Sequence, residues 1–208
     1  MFTLKFVSSI TTIQMIRHKR ILKRVLSLIT LCILTSNLIQ AQQFTLVNNE
    51  SKLTVLGTSS LHDWLVTAEN QSGNIIFKDL ETGEIEKCSI EIGAESLKSG
   101  KSSMDKSAYK ALKTSSFKTI TFQLLEVKET SNKGHGKFAF HTQGDLTVAG
   151  VKKRISLDFT TTIVENKITL IGEKSIKMTD FNIDPPKALL GIITAGDDIT
   201  IKFSTIFK

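Results

Sequence analysis

Ile155-Ser156-Leu157-Asp158-Phe159-Thr160-Thr161-Thr162-Ile163 changes character at almost every step. Ile155, Leu157, Phe159, Thr161 and Ile163 fall on one face, and Ser156, Asp158, Thr160 and Thr162 on the other. Successive side chains of a strand point to opposite faces, so this stretch reads as a strand with one buried and one wet side. Glu165-Asn166 turns the chain, and Ile168, Leu170 and Gly172 run back before Ile176, Met178 and Phe181. Upstream, Ala149-Gly150-Val151-Lys152 is a turn, preceded by Leu146 and Val148 and by Phe138 and Phe140. Asn132-Lys133-Gly134 reads as the hairpin turn before these.

The same period runs through most of the chain from Phe44 to Phe207. Leu53 and Val55 alternate before Gly57. Trp64 to Phe77 reads as one long strand, with Gly73 placed for a bend or bulge. Asp79 to Gly83 turns into Ile85–Ile92. Ile120, Phe122 and Leu124 form another alternating run, and Ile199, Ile201 and Phe203 the last. The expectation is an all-β chain of about eight to ten mostly antiparallel strands. Such a sheet removes its unpaired edges by closing into a barrel, and about eight strands leave room for a filled core or one small ligand.

Two segments depart from the pattern. Ser103 to Lys113 places Met104, Ala108, Ala111 and Leu112 at helical spacing, so a short helix near 103–113 is expected, with Ser103 as its cap. Asp184-Pro185-Pro186-Lys187-Ala188-Leu189-Leu190-Gly191-Ile192-Ile193 is apolar, yet its prolines forbid a regular central strand. It reads either as a plug at one end or as a rim facing lipid.

The N-terminal residues read as a secretory signal peptide spanning 1–41, whose true start could be Met15. A basic cluster (Arg17, Lys19, Arg20, Lys23, Arg24) precedes a mostly apolar run from Val25 to Ile39, with cleavage expected after Ala41. An uncleaved membrane anchor is the alternative, although the run is short and interrupted for that role. Residues 1–41 hold 6 of the 27 lysines and arginines and none of the 20 acidic residues, so the remainder carries 21 basic residues against 20 acidic. The high isoelectric point therefore reflects targeting and gives no ground for a nucleic-acid partner. Beyond residue 41 the lone Cys88 excludes an intrachain disulfide, and its parity with Ile90 and Ile92 points it inward.

Chemistry-bearing motifs are sparse. Beyond residue 41 the histidines are His62, His135 and His141, and no metal-ligand spacing, Gly-x-Ser-x-Gly elbow or phosphate loop occurs. His62-Asp63-Trp64 is the one specific polar-aromatic cluster. It suits a cavity mouth, and could orient a general base only if the chain turns between His62 and Asp63. Phenylalanine, at 12 residues, far outnumbers the single tryptophan and single tyrosine, which favours an apolar interior or ligand. The candidate cavity or ligand residues are His62, Trp64, Tyr109, Phe122, Phe138, Phe140, Leu146, Ile155, Leu157, Phe159, Leu189 and Leu190.

Four blocks resemble the YceI-like family of secreted proteins, in a branch whose first motif contains His-Asp-Trp. They are Gly57–Trp64; Met104-Asp105 through Lys113 with Ile120-Thr121-Phe122; Gly144-Asp145-Leu146-Thr147-Val148-Ala149-Gly150-Val151-Lys152-Lys153; and Lys174–Phe181 through Asp184-Pro185-Pro186. The third block matches a Gly-x-Leu-Thr-x-x-Gly-x-x-Lys pattern common in the family. The resemblance implies an extended antiparallel lipocalin-like β-barrel, export to the periplasm, and an elongated cavity that in some members holds a polyisoprenoid chain. It implies no common enzyme activity.

The leading expectation is a periplasmic binding or carrier protein for a long apolar lipid, an isoprenoid or fatty lipid, with no required cofactor. Transient contact with a membrane surface is expected, and a homodimer is left open. The alternatives are a filled-barrel structural or stress-related interaction protein, and a lipid-modifying enzyme using His62.

Overall fold

The computed structural model describes residues 41–188 and 191–208, together with Lys23. The remainder of the expected signal segment, and Leu189 and Leu190, lie outside the described residues. Residues 41–208 form one unit.

The chain forms β1 (Gln42–Thr45), β2 (Lys52–Ser59), β3 (Trp64–Ala68), β4 (Gln71–Asp79), β5 (Glu84–Gly93), β6 (Leu97–Lys98), α1 (Ser102–Leu112), β7 (Thr119–Gly134), β8 (Lys137–Val148), β9 (Val151–Val164), β10 (Lys167–Lys177), β11 (Lys187–Ala188) and β12 (Ile193–Phe207). All pairings are antiparallel, in the order β1-β4-β5-β7-β8-β9-β10-β12-β2-β3-β6, with β11 attached to β12.

The sheet is curled, and its path is open. This corrects the expectation of a barrel closed by about eight strands. The reason lies in β12, whose free edge is shared by two neighbours. From Ile199 to Ser204 it pairs with β2, whereas beyond Ser204 it turns to the tail of β1. There Val47 donates to the Ile206 carbonyl at 2.8 Å, Thr45 and Lys208 exchange two bonds, and Leu46 bridges Phe207. The terminal strands β1 and β6 are only four and two residues long, and short edges offer little to a pairing partner.

Other expectations shift locally. The long Trp64–Phe77 strand is two strands, β3 and β4. Gly73 carries no bulge; it pairs in register with Ile90, and the irregularities fall between Ile76 and Asp79. Its role is close approach, since a Cβ there would sit 2.3 Å from the Ser89 carbonyl oxygen. The β7–β8 turn is His135-Gly136 rather than Asn132–Gly134, with both residues at positive φ (53° and 68°), the geometry of a two-residue hairpin turn. Ser103 does not cap α1. The boundary residue is Lys101, and Asp105 reaches back instead, accepting bonds from the Ser99 amide (2.8 Å) and hydroxyl (2.6 Å). The Ser99 hydroxyl holds the Asp105 carboxyl below its ordinary range.

Burial follows parity. Leu157, Phe159 and Thr161 are buried along β9 while Asp158 and Thr160 face water. At one end Phe44, Phe77, Phe138, Phe140, Phe159 and Phe207 form a dense core with Ile75, Ile85 and Ile168. Phe140 stacks on Phe159 at 5.1 Å, and Phe44 meets Phe77 edge-on at 6.5 Å. Two smaller clusters, one around Phe181 and one around Val66, line the other end.

Candidate functional site

The end of the curled sheet away from the dense aromatic core encloses a cavity of about 440 Å³, within the range of small-molecule sites. Its wall comes from β2, β3, β5, β6, β7, β8, β9, β10, β11 and β12, and contains no residue of β1 or β4. Leu53, Val55 and Ser59 line it along β2, a run of roughly 20 Å at strand rise. Phe159, Leu170 and Thr205 also line it, and the first two belong to the aromatic core, so that core serves as the floor.

Helix α1 supplies part of the wall through Met104, Ala108, Ala111 and Leu112, the apolar stripe read from the sequence. Its outer side is pinned. The Tyr109 hydroxyl donates to the Glu95 carbonyl at 2.8 Å and accepts from the Lys98 ammonium at 2.5 Å, which also lies over the tyrosine ring. That bond raises the Lys98 pKa. The Thr114 hydroxyl donates to the Glu95 carboxylate at 2.8 Å.

The mouth contains the His62-Asp63-Trp64 motif. Trp64 lies half-buried across from Gly57, its indole N–H donating to the Thr58 carbonyl at 2.8 Å. A Cβ on Gly57 would fall 2.2 Å from the indole ring, so glycine is what lets the ring lie flat on β2. His62 is exposed at the cavity edge. Its Nδ1 lies 2.8 Å from the backbone carbonyl of Asp63, so the ring engages the peptide rather than the neighbouring carboxylate. The Ser59 hydroxyl closes this turn on the His62 backbone, at 2.7 Å to the carbonyl and 3.1 Å from the amide. Across the mouth, Thr194 and Ser60 exchange backbone and hydroxyl bonds, which tie the His62 turn to the proline-containing segment. Pro186, Lys187 and Ile193 of that segment line the cavity, while Leu61 and Ile192 stand exposed beside it.

Of the sequence candidates, His62, Trp64, Phe122, Leu146, Ile155, Leu157 and Phe159 converge on the cavity. Phe138 and Phe140 are placed elsewhere, in the aromatic core, where they pack on each other and Phe140 stacks on Phe159. Tyr109 is also placed elsewhere, since its hydroxyl fastens α1 to the Glu95–Lys98 segment. Leu189 and Leu190 lie outside the described residues. Cys88 faces inward as expected and lines the floor, and burial pushes its thiol up to about 12, which keeps it protonated and inert.

Sequence reading missed three lining lysines, Lys101, Lys174 and Lys187. For Lys174 the signal was present, since it continues the inward parity of Ile168, Leu170 and Gly172. His135 occupies a hairpin turn, and His141 pairs with Asp158 on the outer surface at 2.5 Å. Among the described residues no group of three or more His, Cys, Asp and Glu side chains is placed to hold a metal ion.

Comparison with known proteins gives one consistent pattern. The YceI-like domain matches residues 44–207. Burkholderia cenocepacia BcnA superposes with a TM-score of 0.64 at 16% identity, over 77% of this chain and 98% of its own. A polyisoprenoid binding domain from Saccharophagus degradans, implicated in plant cell wall breakdown, gives 0.61 at 14% identity, over 79% and 97%. The Campylobacter jejuni YCEI protein gives 0.56 at 23% identity, over 66% and 80%. At these identities the likeness is one of fold. No curated protein matches the chain.

Proposed function

Because this chain belongs to the YceI-like family and its curled sheet encloses an apolar cavity, we propose that it binds or carries a long apolar lipid, with a polyisoprenoid as the leading candidate. The observation that carries this reading is the continuous wall of Val, Ile, Leu, Met and Phe between the Phe159 floor and the Trp64 mouth. Each methylene buried there contributes about 0.8 kcal/mol, so chain length alone supplies affinity. The Saccharophagus domain's description as polyisoprenoid binding supports the choice of lipid. The His-Asp-Trp motif supports membership of the branch that shares it.

The reading assigns His62 no catalytic role: its ring is exposed, and its Nδ1 lies at the Asp63 backbone carbonyl rather than at the Asp63 carboxylate. It places the protein in the periplasm, delivered by a signal peptide over residues 1–41; β1 begins at Gln42, immediately after the expected cleavage point. Transfer would occur at a membrane surface, and the exposed Leu61 and Ile192 beside the mouth supply the apolar contact. The test is to strip the protein of lipid, incubate it with a series of isoprenoids of increasing length, and measure bound lipid by mass spectrometry. Retention that rises with chain length supports the reading. Failure to retain any long apolar chain overturns it.

A further inference from the structure

Resting on the carrier reading, we propose that the cargo is an amphiphile with an anionic head, a carboxylate or a phosphate, and that Lys174 is the residue that receives it. The charged groups of the cavity wall are one-sided. Lys101, Lys174 and Lys187 line it, with His62 at the mouth, and no aspartate or glutamate does. This is not a consequence of composition, because beyond residue 41 the chain carries 21 basic against 20 acidic residues.

Lys174 is the informative member. On β10, Ile168 and Leu170 are buried, Gly172, Lys174 and Ile176 are half-buried, and Ile171, Glu173, Ser175 and Lys177 are exposed. Lys174 thus occupies the inward row, where its parity neighbours are apolar. Its cross-strand partner is Ile201, another lining residue. On the other side β9 parts from β10 after the Gly172–Phe159 pair, so no ladder continues past Lys174. Phe159, the partner of Gly172, and Leu157 beyond it on β9 also line the cavity.

The outward lysines nearby are partnered: Lys177 with Asp198 at 3.4 Å, and Lys202 with Glu173 at 3.3 Å. The side chain of Lys174 has no hydrogen bond or ion pair among the described residues, and neither do the side chains of Lys101 and Lys187. A half-buried lysine in an apolar row gives up part of its hydration and here gains no protein partner in return. Leucine or methionine would fill the same row without that penalty. A bound anion supplies the missing charge-assisted bonds, while the rest of the cavity takes the tail. Carboxylate and phosphate oxygens present the same chemistry to a lysine, a compact charge with three donors.

The test is calorimetric titration of the delipidated protein with four probes: oleic acid, oleyl alcohol, farnesyl monophosphate and farnesol. The expected result is that at least one anion binds about tenfold or more tightly than its matching alcohol, the equivalent of one charge-assisted bond. A preference for oleate over its alcohol identifies a carboxylate head, and one for farnesyl phosphate over farnesol a phosphate head. In Lys174→Met the preference should disappear while alcohol binding persists, which also reports an intact fold. In Lys174→Arg it should survive. Equal affinity for acids and alcohols overturns the anionic head, and a preference unchanged in Lys174→Met overturns the role of Lys174; either result leaves the carrier reading standing. No binding of any of the four probes overturns both.

Discussion

The two ends of this sheet use the same alternation and the same strands β5, β8, β9, β10 and β12, yet one is solid and the other hollow. At the solid end the wall is completed by β1, the Leu46 that follows it, and β4, through Phe44, Leu46, Ile75 and Phe77. At the hollow end β2, β3 and β6 take their place and contribute Leu53, Val55, Val66 and Leu97. At the solid end rings of neighbouring strands pack together, Phe140 on Phe159 and Phe44 against Phe77, whereas the hollow end is walled mainly by Val, Ile, Leu and Met, with Phe122, Phe181 and Phe203 among them. Helix α1 adds Met104, Ala108, Ala111 and Leu112 to that wall. Hollowness therefore goes with which strands border β12 at each height rather than with sheet curvature alone.

Mutations should separate the ends. The largest expected effect is Phe77→Ala or Phe138→Ala, both fully buried at the solid end, with a loss of about 3–5 kcal/mol in a denaturant titration. Ile155→Ala, which trims a side chain already facing empty volume, should cost at most about 2 kcal/mol. Similar losses at both positions would break the distinction.

Next comes Leu157→Trp. It fills the cavity just above the floor, so lipid binding should fall more than tenfold while overpacking costs no more than about 1–3 kcal/mol. Retained binding would mean that the lipid sits elsewhere. A smaller effect is expected for Gly57→Ala, which pushes the Trp64 ring off β2. Trp64 is the only tryptophan of the chain, so its fluorescence should shift while the thermal midpoint drops by a few degrees.

The smallest concerns Asp197, which accepts bonds from the Thr179 hydroxyl at 2.7 Å and amide at 2.9 Å and so holds the Met178–Phe181 segment against the cavity. The Thr179 hydroxyl is the main cause that lowers its pKa from 3.8. A depressed folded pKa contributes stability above 3.8 that is lost as the pH falls below it. Asp197→Asn should thus lower the urea midpoint at neutral pH, with the gap to wild type closing in acid; a gap independent of pH would assign the effect to packing.

Most of this architecture was legible in the residues. The Ile155–Ile163 alternation, the Ala149-Gly150 and Glu165-Asn166 turns and the Met104–Leu112 stripe all correspond to observed elements, because each depends on local periodicity. What was not legible depends on distant partners. Nothing local says that β12 changes neighbour at Ser204, so the sheet was expected to close as a simple ring. Nor does anything local distinguish Phe159, which also lines the cavity, from Phe138 and Phe140, which belong to the aromatic core alone. Tyr109 looked like an amphipathic ligand contact, yet its partner is the Glu95 carbonyl, which periodicity cannot locate. Lys174 was visible in principle: a lysine on the inward row of an alternating strand contradicts its neighbours, and such local conflicts mark functional positions.

The central claim, that the hollow end is built to hold lipid, is tested most directly by native mass spectrometry of the protein purified from its own source, followed by organic extraction of whatever is bound. The account predicts a stoichiometric long-chain lipid released from the wild-type protein and missing from Leu157→Trp. A wild-type protein that carries no lipid, and takes up none when a long-chain lipid is supplied, would contradict it.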